Sequence, residues 1–140
     1  MSPVLYAILA AIAFGAWTVF HRLAGPYVNQ VFGAVIVSLT AVVLGALVLT
    51  YQTRPHKYVT SDRGVWFLVL AGISAFFIDY FALKTYSSGL PVTVGGPIII
   101  GGSIAVATII GFALGDSFTW PKLLGLALLI AGAAILATYQ

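Results

Sequence analysis

Five long apolar runs, separated by short polar segments, account for almost all of this 140-residue chain. A helix needs about 20 apolar residues to cross the hydrocarbon core of a bilayer, and each run is close to that length. We therefore predict one all-α transmembrane domain over residues 1–140, inserted in a lipid bilayer. Its five helices are predicted at about residues 3–20, 31–51, 64–84, 91–114 and 122–137. An odd number of spans places the two ends of the chain on opposite membrane faces.

The composition supports the membrane assignment and restricts the chemistry. Hydrophobic residues make up 61% of the chain and charged residues 6%, whereas a soluble domain has about 25% charged residues. There is no cysteine and no glutamate, and the only acids are Asp62, Asp79 and Asp116. These residues form no metal-ligand, nucleophile or phosphate-loop pattern. We therefore expect no metal, no cofactor and no enzymatic activity, and the scattered charges behind the net +3 do not indicate nucleic-acid binding.

The positions of lysine and arginine predict the orientation, since short cytoplasmic loops are enriched in both. Four basic residues flank the spans on the N-terminal side and two on the other: Arg54, Lys57, Arg63 and Lys122 against Arg22 and Lys84. The difference predicts that the N-terminus is inside and the C-terminus outside, in what we expect to be an integral protein of the inner (plasma) membrane. It is small enough to allow insertion in both orientations.

Asp79 is an ionisable residue inside a predicted span, about 22 Å along helix 3 from Gly64 at 1.5 Å per residue. Such residues cost free energy and mark a functional site or a paired charge. Helices 1 and 3 leave the membrane on the same face, so Trp17, His21 and Arg22 share the level of Asp79. Two interpretations stay open, namely a proton or cation site and a structural ion pair. Arg22 and His21 are the possible partners in such a pair, and Arg22 is the main candidate.

Helix 4 contains Gly95-Gly96-Pro97 about two turns after its start, near the same level. Proline removes a backbone donor and clashes with the preceding turn, so we expect a kink here. Irregular helices at membrane depth often line transporter sites, although small residues also allow close helix packing. The predicted substrate-binding residues are Trp17, His21, Arg22, Asp79, Tyr80, Gly95, Gly96 and Pro97.

Helix 5 carries Gly125 and Gly132, seven residues apart on one face. Small residues at this spacing let two helix backbones approach each other. The pattern predicts a helix contact through both glycines, either within the chain or between two copies of it.

Several motifs in this order resemble the EamA type of the drug/metabolite transporter superfamily. The matching segments are Ala82-Leu83-Lys84 at the end of helix 3, Pro97, Leu114-Gly115-Asp116 and Leu129-Ile130-Ala131-Gly132. Trp17 and Arg22 occupy the tryptophan and basic positions of the helix 1 pattern. The family acid in the last turn is usually glutamate rather than Asp116, and Asp79 lies outside the pattern, so its role is not inherited.

The resemblance implies a five-helix repeat, of which most members contain two in inverted orientation. A chain with one repeat is expected to form a homodimer, with antiparallel copies enclosing the pathway. Helix 5 also resembles the small multidrug resistance branch, but the helix 1 glutamate of that branch is missing.

We therefore expect a drug/metabolite transporter that works by alternating access, with coupling to protons or cations left open. Aromatic residues at the level of the site would suit organic metabolites or cations, but they are also common lipid-facing anchors; they are Trp17, Tyr80, Phe81 and Tyr86. The alternative is a non-transporting membrane subunit or half of a lipid-carrier flippase.

Overall fold

The computed structural model describes residues 3–51 and 62–138. Within these two segments the regular elements are five α-helices, each long and apolar enough to cross a bilayer. They are α1 (Pro3–Ala24), α2 (Gln30–Tyr51), α3 (Asp62–Ser87), α4 (Val92–Ala113) and α5 (Trp120–Thr138). The predicted fold class, an all-α membrane protein with five transmembrane helices, is confirmed.

α1 continues four residues beyond its predicted end and places His21 and Arg22 in its last turn. The sequence Leu23-Ala24 favours helix, and Gly25-Pro26 then ends it because proline cannot continue the hydrogen-bonding pattern. Both basic residues are therefore held at fixed angles around α1 rather than in a loop.

α4 runs from Val92 to Ala113 with Pro97 inside it. Pro97 has no N–H to donate to the carbonyl of Thr93, four residues earlier. The helix is nevertheless continuous through Gly95 and Gly96. The Gly95–Pro97 segment is thus not a break in the helix, and the kink expected there stays a prediction.

The helices pack as two pairs joined by α1. α2 lies along α3, and α4 lies along α5, while α1 contacts both α3 and α4. α3 and α4 also touch each other directly. The first span therefore connects the two pairs, and side chains on α1 can reach α3 and α4.

Burial is concentrated at one end of this bundle, which we call the packed end. It comprises the last turns of α1 and α3 and the first turns of α2 and α4, and its buried residues include Thr18, His21, Gly33, Ala34, Asp79, Leu83, Tyr86, Val94 and Gly95. At the opposite end, residues 3–13, 38–51 and 62–75 are exposed throughout. We call this the open end, because the residues of these three segments are all exposed.

Glycines allow the close approach at the packed end. A Cβ atom on Gly33 would lie 2.5 Å from a Leu83 methyl, and one on Gly95 would lie 2.7 Å from the Tyr86 ring. A Cβ on Gly25 would lie 3.3 Å from the backbone of Tyr86. Three different parts of the chain thus present a glycine to the last two turns of α3.

Candidate functional site

The packed end holds a polar cluster built from α1 and α3. The indole Nε1 of Trp17 donates a hydrogen bond of 2.9 Å to Asp79 Oδ1. His21 Nε2 lies 3.1 Å from the same oxygen. His21 and Asp79 are only 4% and 6% exposed. We refer to these two residues as the His21–Asp79 pair.

Helical spacing explains why α1 presents these groups together. Trp17 and His21 are four residues apart and therefore lie on one face of the helix; their ring centroids are 4.0 Å apart. Phe14 stacks on Trp17 from the preceding turn, with centroids 5.0 Å apart. Arg22 follows His21 by one residue, which rotates it by about 100° away from this face. The ion pair that the structure shows for Asp79 is accordingly with His21, not with Arg22, the partner favoured from the sequence.

The tautomer of His21 follows from its second contact. Its Nδ1 lies 2.9 Å from the carbonyl oxygen of Trp17, and because a carbonyl only accepts, Nδ1 carries a hydrogen. An unprotonated Nε2 would then face an ionised carboxylate with its lone pair. One further proton, on Nε2 or on Asp79, would remove this repulsion and leave the pair without net charge.

The contact between Nε2 and Oδ1 is close but lies off the direction of an aligned N–H···O hydrogen bond. Electrostatic attraction is thus its main component, and the better aligned bond to the carboxylate is that of Trp17.

Few other charges lie near the pair. α2 and α4 contain no Asp, Glu, Lys, Arg or His residue. Lys84, in the last turn of α3, directs its Nζ over the ring of Tyr80, 6.0 Å from the centroid. A change in the charge of the pair therefore meets no compensating group from α2 or α4.

A groove of about 590 Å³ separates α1 from α2 next to this cluster. Small-molecule sites in proteins have volumes of about 300–1,000 Å³, so the groove is of suitable size. Its lining includes Trp17, Phe20 and His21 of α1 and Val37, Thr40 and Leu44 of α2. A molecule in the groove would meet Trp17 and His21 directly, whereas Asp79 lies behind them.

Gly95 and Gly96 have packing roles in the structure. Gly95 lies against the Tyr86 ring, and a Cβ on Gly96 would be 3.4 Å from the Thr18 methyl. Pro97 borders a separate cavity of about 390 Å³ where α1, α4 and α5 meet. These three residues thus lie beside the cluster but not in the α1–α2 groove.

The remaining predicted residues are also separate from the groove. Tyr80 is half-buried and packs edge-on against Phe81. On α5, a Cβ on Gly125 or Gly132 would meet no side chain or neighbouring helix within 4 Å. The close contact between α4 and α5 is instead at Gly101 of α4, where an added Cβ would lie 3.2 Å from a Leu129 methyl.

Sequence reasoning missed the role of two residues here. Thr18 is buried against α4, and Tyr86 is the largest fully buried side chain in the described part of the chain. The burial of Tyr86 could have been predicted from its spacing. The i, i+3, i+4, i+7 pattern of one helix face is followed by Asp79, Ala82, Leu83 and Tyr86.

The fold and the cluster together define an integral membrane protein with a paired, buried ionisable site. The chain matches the EamA-like transporter family over residues 1–138, and it belongs to that family. The resemblance inferred from the motifs is thereby confirmed, and transport is the family's function. Searches of curated proteins and of solved structures returned no match.

Proposed function

We propose that this protein is a drug/metabolite transporter that works by alternating access and exchanges the proton of the His21–Asp79 pair for its substrate. The observation that carries the proposal is the buried pair itself, placed beside a groove of ligand size. Ionisable groups at membrane depth are costly and usually functional. Their position next to a cavity is the arrangement that ion coupling requires.

Charge balance gives the physical basis of the coupling. With one proton the pair is neutral overall, and without it the pair carries one negative charge. An uncompensated charge in a buried site costs several kcal/mol, and α2 and α4 supply no cation. A positively charged substrate group near His21 would stabilise the deprotonated pair, so proton loss and substrate binding favour each other.

The groove also restricts the substrate. Its walls are mainly apolar and aromatic, with His21 and Thr40 as the polar side chains among those named above. This surface fits an organic molecule with an apolar or aromatic body and a single basic group. Trp17 and Phe20 offer ring faces for stacking and for cation–π contact, worth about 0.5–2 kcal/mol.

The open end supports assembly with a second copy. Residues 38–51 and 62–75 are exposed, and α5 has no buried residue. Two copies would enclose a pathway that one five-helix bundle leaves open. We infer an antiparallel homodimer because two inverted repeats are the arrangement that the family resemblance implies.

The test is transport by protein reconstituted in liposomes with an acidic interior. We would add aromatic monoamines of graded size from outside and follow the interior pH with a trapped dye. The proposal predicts that some of these amines dissipate the pH gradient faster in the presence of wild-type protein. Asp79→Asn, which removes the charge but keeps the side-chain shape, should abolish this protein-dependent flux.

Ser74→Ala is a suitable control because Ser74 lies on the same helix and bonds only to the α3 carbonyl of Leu70. It should transport at the wild-type rate. Protein-dependent flux that is equal in wild type and Asp79→Asn would contradict the coupling, and no flux for any amine would contradict the substrate class.

A further inference from the structure

We propose that Tyr86 is the gate of the packed end and that its hydroxyl sets how readily this end opens. The inference rests on the alternating-access function proposed above, because only a transporter must open this end. Neither the family match nor the His21–Asp79 pair accounts for the burial of Tyr86, and the gate assigns it a role.

Tyr86 occupies the point where α1, α3 and α4 meet. It has no exposed surface. Its ring lies against Gly95, where an added Cβ would be 2.7 Å from Cε1, and its backbone lies against Gly25. The packed end cannot open between α3 and α4 without moving this ring.

The hydroxyl of Tyr86 is enclosed and has no hydrogen-bond partner within the described residues. A buried hydroxyl without a partner carries a desolvation cost that is removed when it reaches water. Opening the packed end would hydrate it. The hydroxyl therefore destabilises the closed arrangement relative to the open one, while the ring provides the packing that holds it closed.

The Tyr86 side chain lies on the same face of α3 as Asp79 of the His21–Asp79 pair, because the two residues are seven apart. Side chains on a helix tilt toward its N-terminus, so the Tyr86 ring extends from the end of α3 toward the level of Asp79. Opening at Tyr86 would accordingly connect the His21–Asp79 pair with water on that face.

The experiment measures gate opening directly and needs no substrate. The chain has no native cysteine, so a single Val94→Cys substitution places one thiol at a buried position of the packed end. We would measure its rate of reaction with a membrane-impermeant maleimide in lipid nanodiscs, where both faces are accessible. Ser88→Cys, at an exposed position in the adjacent turn, reports reagent access without opening.

Tyr86→Phe keeps the ring and removes the hydroxyl. We expect it to slow labelling of Val94→Cys by roughly 5- to 150-fold, the range that corresponds to the cost of a buried unpartnered hydroxyl. Labelling of Ser88→Cys should not change. The matched control is Tyr27→Phe, since Tyr27 lies in the α1–α2 turn on the same face and is 87% exposed; it should leave both rates unchanged.

Labelling of Val94→Cys that is unchanged or faster in the Tyr86→Phe background would overturn the proposal that Tyr86 is the gate. A second readout covers the possibility that Val94→Cys perturbs the fold. In the cysteine-free chain, Tyr86→Phe should raise the thermal unfolding temperature, and a lower temperature would show that the hydroxyl is hydrogen-bonded in the closed state. If labelling and stability behave as expected but no transport occurs, the gate stands and the proposed function fails.

Discussion

At Asp79, one carboxylate oxygen is shared by two nitrogen groups of α1. Trp17 supplies an aligned hydrogen bond and His21 an electrostatic contact. Both come from a single helix face, so rotation or sliding of α1 changes both contacts at once. The contacts of the Asp79 carboxylate therefore depend on the position of α1 relative to α3.

The Trp17 hydrogen bond can be tested by Trp17→Phe, which keeps an aromatic ring between Phe14 and His21 but removes the donor. A hydrogen bond contributes about 0.5–1.5 kcal/mol to stability, and about 1.5–3 kcal/mol when its partner is charged. We therefore expect a loss of stability of about 0.5–3 kcal/mol by thermal or denaturant unfolding in detergent. Trp66→Phe, at an exposed position of α3, should change stability by less than about 0.5 kcal/mol. Equal effects of the two substitutions would show that the indole N–H contributes nothing.

A double-mutant cycle tests the ion pair. His21→Gln and Asp79→Asn should be non-additive, with an interaction free energy of about 0.5–3 kcal/mol, because the two side chains are in contact. Arg22→Gln combined with Asp79→Asn should be additive to within about 0.5 kcal/mol. The reverse result, coupling to Arg22 and none to His21, would restore the partner favoured from the sequence.

The residues of this site could be predicted only in part. The sequence predicts that Trp17, His21 and Asp79 lie at the same depth in the membrane, because helices 1 and 3 leave it on the same face. The sequence does not predict whether His21 or Arg22 pairs with Asp79. The predicted helix ended at residue 20, so the angular positions of residues 21 and 22 around the helix axis were undefined. Continuation of α1 to Ala24 fixes those angles.

The element that decides the packing of the site is the first part of α4. Gly95 and Gly96 were predicted either to soften a kink or to allow close approach. Their positions against Tyr86 and Thr18 show close approach. The sequence could not distinguish these roles, since both need small residues at the same depth.

Gly95→Ala tests this packing. Its Cβ would fall 2.7 Å from the Tyr86 ring, and overpacking of this kind costs about 1–3 kcal/mol. We expect a lower unfolding temperature and faster labelling at the packed end. Gly102→Ala on the same helix has nothing within 4 Å, and it should be neutral or stabilising by up to about 1 kcal/mol, because alanine favours helix over glycine. Similar stability of the two variants would contradict the assigned packing.

At the scale of the whole molecule, the five spans were predictable because length and apolar composition alone specify them. The division of the bundle into a packed end and an open end was not predictable from the sequence. Apolar residues occur all around each helix, so their pattern does not identify the buried face. The glycine contacts that distinguish the two ends depend on the relative positions of the helices, which the pattern leaves open.

The proposed homodimer makes a prediction for α5. Gly132 has no side chain or neighbouring helix within 4 Å of its Cβ position and borders the open cavity where α1, α4 and α5 meet. If a helix of the second copy packs into this space, Gly132→Leu should displace it. We expect a shift toward monomer in light scattering of the detergent-solubilised protein, with unchanged helical content. Ala127→Leu, at an exposed position on another side of α5, serves as control. A dimer that is equally stable in both variants would remove α5 from the interface.

The most direct test of the central claim is to count the protons released when a cation binds. Tetraphenylphosphonium is an aromatic cation that has no proton to lose, so any proton released into weakly buffered solution comes from the protein. The account predicts release of up to about one proton per bound cation in the wild type, and none in Asp79→Asn. Cation binding without proton release in the wild type, or equal release from Asp79→Asn, would contradict it.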